Sequence, residues 1–120
     1  MNDRIDINEK FGLFSEQWRP KLIAELNGQE VKLAKLLGEF VWHKHDVDEM
    51  FLVWCGTLKI EMRDSVVELK EGQMYVVPAG VEHRPIADDE VELILFEPAG
   101  VVNTGGVFDE EKTAPTIERI

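Results

Sequence analysis

The residues best suited to chemistry are three histidines, His43, His45 and His83, and a glutamate, Glu49. His43 and His45 lie two apart in a stretch, Phe40–His45, that reads as a strand, and residues two apart on a strand share a face. Glu49 follows Asp46-Val47-Asp48. If that triplet turns the chain, Glu49 opens the next antiparallel strand on the same side as both imidazoles, and His83 can arrive from a later strand. Three neutral imidazoles and one carboxylate suit an octahedral-type site for a divalent first-row metal, with two positions left for water, substrate or oxygen. Taken singly, each has a plainer reading. A strand histidine is more often a surface or satisfied core residue than a ligand, and a lone glutamate is usually a solvated charge.

The elements that must position these residues come from one ordinary domain's worth of chain, 120 residues and 13.7 kDa. With 44% hydrophobic and 31% charged residues, the chain has a globular balance and enough length for a core. Its longest nearly unbroken apolar runs, Met50–Cys55 and Met74–Val81, are far below the roughly 18 residues that cross a bilayer. The opening MNDRIDINEK has no apolar h-region, so it is not read as a signal peptide. A single cysteine excludes a disulfide framework and multi-cysteine zinc sites. The expected location is cytoplasmic. A net charge of −11 argues against nucleic acid and anionic membrane as partners, because both demand clustered Lys and Arg.

From Pro20 onward the pattern is almost wholly β. Lys21–Leu26 and Glu30–Leu36 flank Asn27-Gly28, a strong type I′ hairpin signal, although Leu33–Leu37 also passes for helix. Further strands are expected at Phe40–His45, Glu49–Trp54, Thr57–Met62, Val66–Leu69, Met74–Val77, Glu82–Ile86 and Val91–Phe96, with turns between them that include Ala87-Asp88-Asp89. Short strands about 8–12 residues apart argue for an all-β sandwich or barrel, and no βαβ alternation is present. Residues 1–19 read as an N-terminal arm with a turn of helix around Ser15–Trp18, residues 20–99 as the barrel, and residues 100–120 as an extended or partly disordered tail.

A larger pattern ties the four candidate ligands together. Gly38 is followed after four residues by His43-Lys44-His45, then three residues, Glu49, six residues and Gly56; after 15 more come Gly72, five residues, Pro78-Ala79-Gly80, two residues and His83. This closely resembles the two motifs of the cupin superfamily in its small one-domain form, over residues 38–87. The resemblance implies a jelly-roll β-barrel (a double-stranded β-helix) in which His43, His45, Glu49 and His83 bind a divalent transition metal: Fe, Mn, Ni, Zn, Co or Cu. The glycines fall where turns need positive φ, and Pro78 starts a turn where a central strand would reject it. Two positions depart from the usual pattern. The first glycine precedes the first histidine by four intervening residues where five are usual within the resemblance, and Ala87 stands where asparagine is common. Neither touches a ligand.

By strand parity, Phe51, Val53, Leu58, Ile60, Met62 and Val77 are expected to line the cavity, with Tyr75 as a candidate functional hydroxyl. Glu39 and Glu82 are the other inward titratable candidates. Cys55 reads as a small buried hydrophobe, and Trp42 and Trp54 as outward-facing. Basic residues appear outside by parity, which disfavours a sugar phosphate. An apolar wall instead suits a small, partly apolar molecule that chelates metal. The expected function is a metal-dependent enzyme on such a molecule, isomerase/epimerase-like or dioxygenase-like, as in those branches of the cupin superfamily; the alternative is a non-catalytic small-ligand-binding cupin with a structural metal. Phe11, Leu13, Phe14 and Trp18 are too apolar for a free tail and suit packing on a second copy, so a homodimer is expected.

Overall fold

A two-residue turn at Asn27-Gly28 starts the sheet, both residues holding positive φ, 51° and 79°, as a type I′ hairpin requires. It joins β1 (Lys21–Leu26) to β2 (Gln29–Glu39). The computed structural model describes residues 3–120. Its remaining strands are β3 (Glu49–Cys55), β4 (Leu58–Met62), β5 (Val66–Leu69), β6 (Met74–Val77), β7 (His83–Pro98) and the short β8 (Glu118–Arg119). The molecule is the expected all-β barrel. Among the described residues no helix is long and apolar enough to cross a membrane.

The barrel closes because one strand serves both of its sheets. The first part of β7 pairs with β4 and its second part with β3, while β2 runs antiparallel along the other edge of β7. The outer strands β5 and β6 pair with β4 and β3 respectively. The expected turn at Ala87-Asp88-Asp89 is instead an irregularity inside this single strand. Leu36 pairs with Val91 and Gly38 with Ala87, so β7 carries extra residues between those points, the form a strand takes when it bends from one sheet to the next.

Alternation along β2 explains why its sequence also passes for helix. Lys32, Ala34 and Leu36 face the barrel interior, while Leu33 packs outside with Phe11, Ile23 and Ile94. A strand covered on both faces loses its polar alternation and reads as a continuous apolar run. The cover on the outer side is the N-terminal arm. Its helix, α1, spans Ile7–Phe11 rather than Ser15–Trp18. Asp6 caps it by accepting a hydrogen bond from the Glu9 amide at 3.1 Å, whereas Trp18 has φ of 64°, which no helix accommodates. Of the arm's apolar side chains, Phe11 and Trp18 are buried in their own chain and Phe14 partly so, whereas Leu13 is exposed.

Two further expectations change. Phe40–His45 is not a strand: it crosses between the sheets, touching β7 through a Phe40 amide to Pro85 carbonyl bond of 2.9 Å and an isolated His43–His83 bridge. Residues 100–117 are not a loose tail but a strap across the open end of the barrel. Asn103 ties it down, donating to the Trp18 carbonyl at 3.0 Å and to the Lys112 carbonyl at 2.7 Å while accepting from the Ala114 amide at 2.8 Å. Thr104 is fully buried, its hydroxyl 2.8 Å from that of Thr113, and β8 then adds parallel to β1.

Candidate metal centre and its cavity

The crossing segment and two strands deliver the four candidate ligands to one point. His43 is held by its two-way backbone bridge to His83, with N···O distances of 3.1 and 2.9 Å. Glu49 is the first residue of β3 and His83 the first of β7. All four residues are buried, and one potential ligand atom from each lies within 4.8 Å of the others. His45 Nε2 is 3.6 Å and His83 Nε2 3.5 Å from the Glu49 carboxylate oxygens.

The hydrogen bonds around this group leave lone pairs aimed inward. His43 Nδ1 is 2.9 Å from the Val41 carbonyl and His83 Nδ1 is 3.0 Å from the Val81 carbonyl. A carbonyl only accepts, so each Nδ1 carries the proton and each Nε2 is left as a bare ligand atom. His45 Nε2, His83 Nε2 and Glu49 Oε1 are buried without any hydrogen-bond partner, an arrangement that is costly unless something external satisfies them. Burial, and next the charge of neighbouring His83, lowers the His43 pKa to about 3. Burial likewise lowers that of His45. Neutral imidazoles beside an unpartnered carboxylate are what a divalent cation requires of its ligands, so the residues present fit a metal.

A cavity of about 160 Å³ opens beside the cluster, comparable to those that admit benzene. His43 and Glu49 form its polar edge nearest the candidate ligands, and Phe51, Leu93, Leu95, Leu36, Phe40 and Trp18 supply apolar wall. Trp18 stacks on Phe40 at 4.7 Å and donates its indole N–H to the Leu37 carbonyl at 3.0 Å. The strap residues Gly100–Asn103 and Ala114–Ile117 form the roof.

Of the residues expected to line this space, Phe51 does so. Val53, Leu58, Ile60 and Val77 are buried in the main core, with Met62 and Tyr75 packed against it, and none of these six contributes to the cavity wall. Parity placed them on the inward face; the barrel interior is simply filled there, and only the end under the strap is hollow. Glu39 and Glu82 are outside and exposed, paired with Arg84 and Arg63. Cys55 is exposed rather than buried, because β3 ends there at the barrel rim. Its pKa is raised, by partial burial and by Glu71 and Glu92, which disfavours the thiolate. Trp42 and Trp54 do face outward, Trp42 beneath the Arg63 guanidinium at 3.8 Å and Trp54 donating to the Asn8 side chain at 2.8 Å.

Sequence reasoning missed a second buried polar group, Glu30, Lys32 and Glu97, which lines the same cavity and adjoins Glu49. Glu30 and Glu97 face each other across β2 and β7. Lys32 Nζ lies 2.9 Å from Glu97 and 3.5 Å from Glu30. Burial, and next Glu49, raises the Glu97 pKa to about 8. The signal was available: Lys32 shares parity with Ala34 and Leu36, and Glu97 with Leu93 and Leu95, so charged residues sat on an inward-facing register.

The chain matches the cupin domain model over residues 25–97, more than half its length, and it belongs to that family. A curated relative, the uncharacterized protein YdbB of Bacillus subtilis (strain 168), is 37% identical over 81 residues, 66% of this chain and 66% of that protein; the match therefore spans just under two thirds of the relative's length. Among solved structures, a cupin-2 domain containing protein from Shewanella frigidimarina is 50% identical, with a TM-score of 0.77 over 78% of this chain and 93% of the other. A likeness in fold alone extends to hydroquinone 1,2-dioxygenase PnpCD in complex with Cd2+ and 4-hydroxybenzonitrile, 17% identical with a TM-score of 0.66, over 76% of this chain and 70% of that one.

Proposed function

We propose that the protein is a metal-dependent enzyme that takes a small, partly apolar organic molecule into the cavity beneath the strap. The observation that carries this reading is the buried group of His43, His45, Glu49 and His83, with its partnerless ligand atoms, at the edge of an otherwise largely apolar hollow. A divalent metal held by these four residues would supply a Lewis acid, or an oxygen-binding centre if it were iron. The chain's own contribution is to fix the imidazole tautomers through Val41 and Val81, to exclude water with Trp18, Phe40 and the strap, and to offer the Glu97 carboxyl for moving protons. The wall favours dioxygenase-like chemistry over sugar-phosphate isomerisation, since Lys32, the cavity's one basic side chain, is already engaged by two glutamates. A homodimer belongs to the same proposal. Its ground is strand β6, which pairs only with β3 and leaves Met74 and Val76 exposed; light scattering of the full chain that gave a monomer would remove it.

The test is elemental analysis with calorimetry. Zinc added to metal-free protein at about 100 times its dissociation constant should raise stability by roughly 3 kcal/mol, and His83→Ala should lose most of that gain together with its metal content. Equal metal and equal stabilisation in both proteins would sink the four-residue site. With iron-loaded protein, oxygen uptake that depends on an added organic substrate would establish the dioxygenase-like class, whereas substrate that binds and never changes would establish a binding protein.

A further inference from the structure

The hollow holds a second polar group beside Glu49, and one of its atoms lacks a donor. Glu97 is 2% exposed and Lys32 3%. Glu97 Oε1 accepts from Lys32 at 2.9 Å, Oε2 is buried with no hydrogen-bond donor and has the Glu49 carboxyl as its neighbour, and both side chains line the cavity. Such an atom in a dry site selects for a ligand that satisfies it and against one that does not. Charge narrows the class further. Glu30 and Glu97 flank a single ammonium and Glu49 adjoins Glu97, so an anionic group brought here in the metal-free protein meets net negative charge, which argues against carboxylates and phosphates. A hydroxyl both donates and accepts, so it matches a carboxyl oxygen in either protonation state. The rest of the wall, with Phe51, Leu36 and Leu93, takes a compact apolar body.

We propose that Glu97, braced by Lys32, is a specificity-determining residue that hydrogen-bonds the hydroxyl of a small uncharged ligand and so selects hydroxyl-bearing molecules over isosteres that lack the group. This rests on the reading that the cavity takes a small organic ligand, and it adds the feature by which that ligand is recognised.

Phenol and toluene are near-isosteric probes, and in a merely apolar hollow toluene wins because its transfer from water is more favourable. Binding is read on the full chain from the methyl resonances of Leu36, Leu93 and Leu95, in the zinc-loaded protein and again after EDTA, so that any metal–phenol bond is separated from the Glu97 contact. The metal-free protein should bind phenol roughly 2- to 10-fold more tightly than toluene, the worth of a hydrogen bond to a neutral group. Lys32→Met/Glu97→Leu, which removes both partners together, should reverse the order, and Glu97→Gln should keep it. If the double variant does not fold, Glu97→Met is read in the same way. A preference for toluene in the parent, or for phenol in the apolar variants, would overturn the proposal while leaving the cavity reading intact. Methyl resonances that respond to neither probe would overturn both.

Discussion

The two buried polar groups of this cavity reach electrostatic balance by different routes. Lys32 brings an internal counter-charge to Glu30 and Glu97, two carboxylates that would otherwise repel across the β2–β7 pairing. His43, His45, Glu49 and His83 have no such partner: their basic members are held neutral by burial, and their inward-facing atoms are unsatisfied. A self-neutralised group holds the fold and can read a ligand. An unneutralised one offers the donor set that a divalent cation would complete.

The sharpest way to break this contrast is to delete the internal counter-charge. Lys32→Met strands Glu30 and Glu97 in the interior and should cost about 3–5 kcal/mol, as removing one member of a buried pair does. Lys32→Met/Glu97→Leu should recover much of that loss. Urea unfolding midpoints decide it, and equal stability of the single and double variants would show that Lys32 is not the balancing charge.

A second, smaller effect separates the groups by pH in the metal-free protein. Unfolded His43 takes up a proton below about 6.5 that the folded imidazole refuses down to about 3, so stability falls as pH drops through that interval. Glu97 has the opposite sign: the folded carboxyl keeps its proton up to about 8, while the unfolded one releases it near 4.5, so stability falls as pH rises between those values. Between 4.5 and 6.5 the Glu97 slope offsets that of His43, while His45, whose pKa burial also lowers, adds a further fall as pH drops; above 6.5 Glu97 alone acts, giving a decline of about 2 kcal/mol by pH 8. Glu97→Gln should abolish the alkaline decline and leave the acid one. Thermal unfolding across the range is the measurement, and an alkaline decline that survives in Glu97→Gln removes Glu97 as its source.

The smallest effect concerns the strap that roofs both groups. Gly105 has φ of 62°, and a Cβ there would collide with the Lys44 carbonyl oxygen. Gly105→Ala should therefore undock the strap, at a local cost of about 1 kcal/mol, and leave the barrel folded. Amide exchange over residues 100–117 should quicken several-fold with barrel amides unchanged. Exchange that rises everywhere would mean that strap and barrel unfold as one unit.

The two groups also differ in how far the chain announces them. His43, His45 and Glu49 sit within seven residues of one another, and with the glycine turns and His83 they form a motif that is read through its resemblance to the cupin pattern. Lys32 and Glu97 are 65 residues apart, and each by itself is an ordinary strand charge. The hairpin at Asn27-Gly28, the strands β5 and β6 and the location of the four candidate ligands were all legible, because turn chemistry and period-two patterning act over a few residues. Which inward-facing positions end up as filled core and which as open cavity was not, since Val53, Leu58 and Ile60 share their parity with Phe51 and differ only in where the barrel is hollow.

The sequence by itself determined the hairpin register, through local backbone preferences, and its resemblance to the two cupin motifs supplied the barrel and the identities of the candidate metal ligands. Only the tertiary structure decided that the apolar arm covers its own sheet, that residues 100–117 close the barrel mouth, and that Lys32 meets Glu30 and Glu97 inside it. Those three outcomes depend on long-range register and on burial, and neither leaves a periodic trace in a segment that pairs, as the strap does, through side-chain hydrogen bonds to distant backbone.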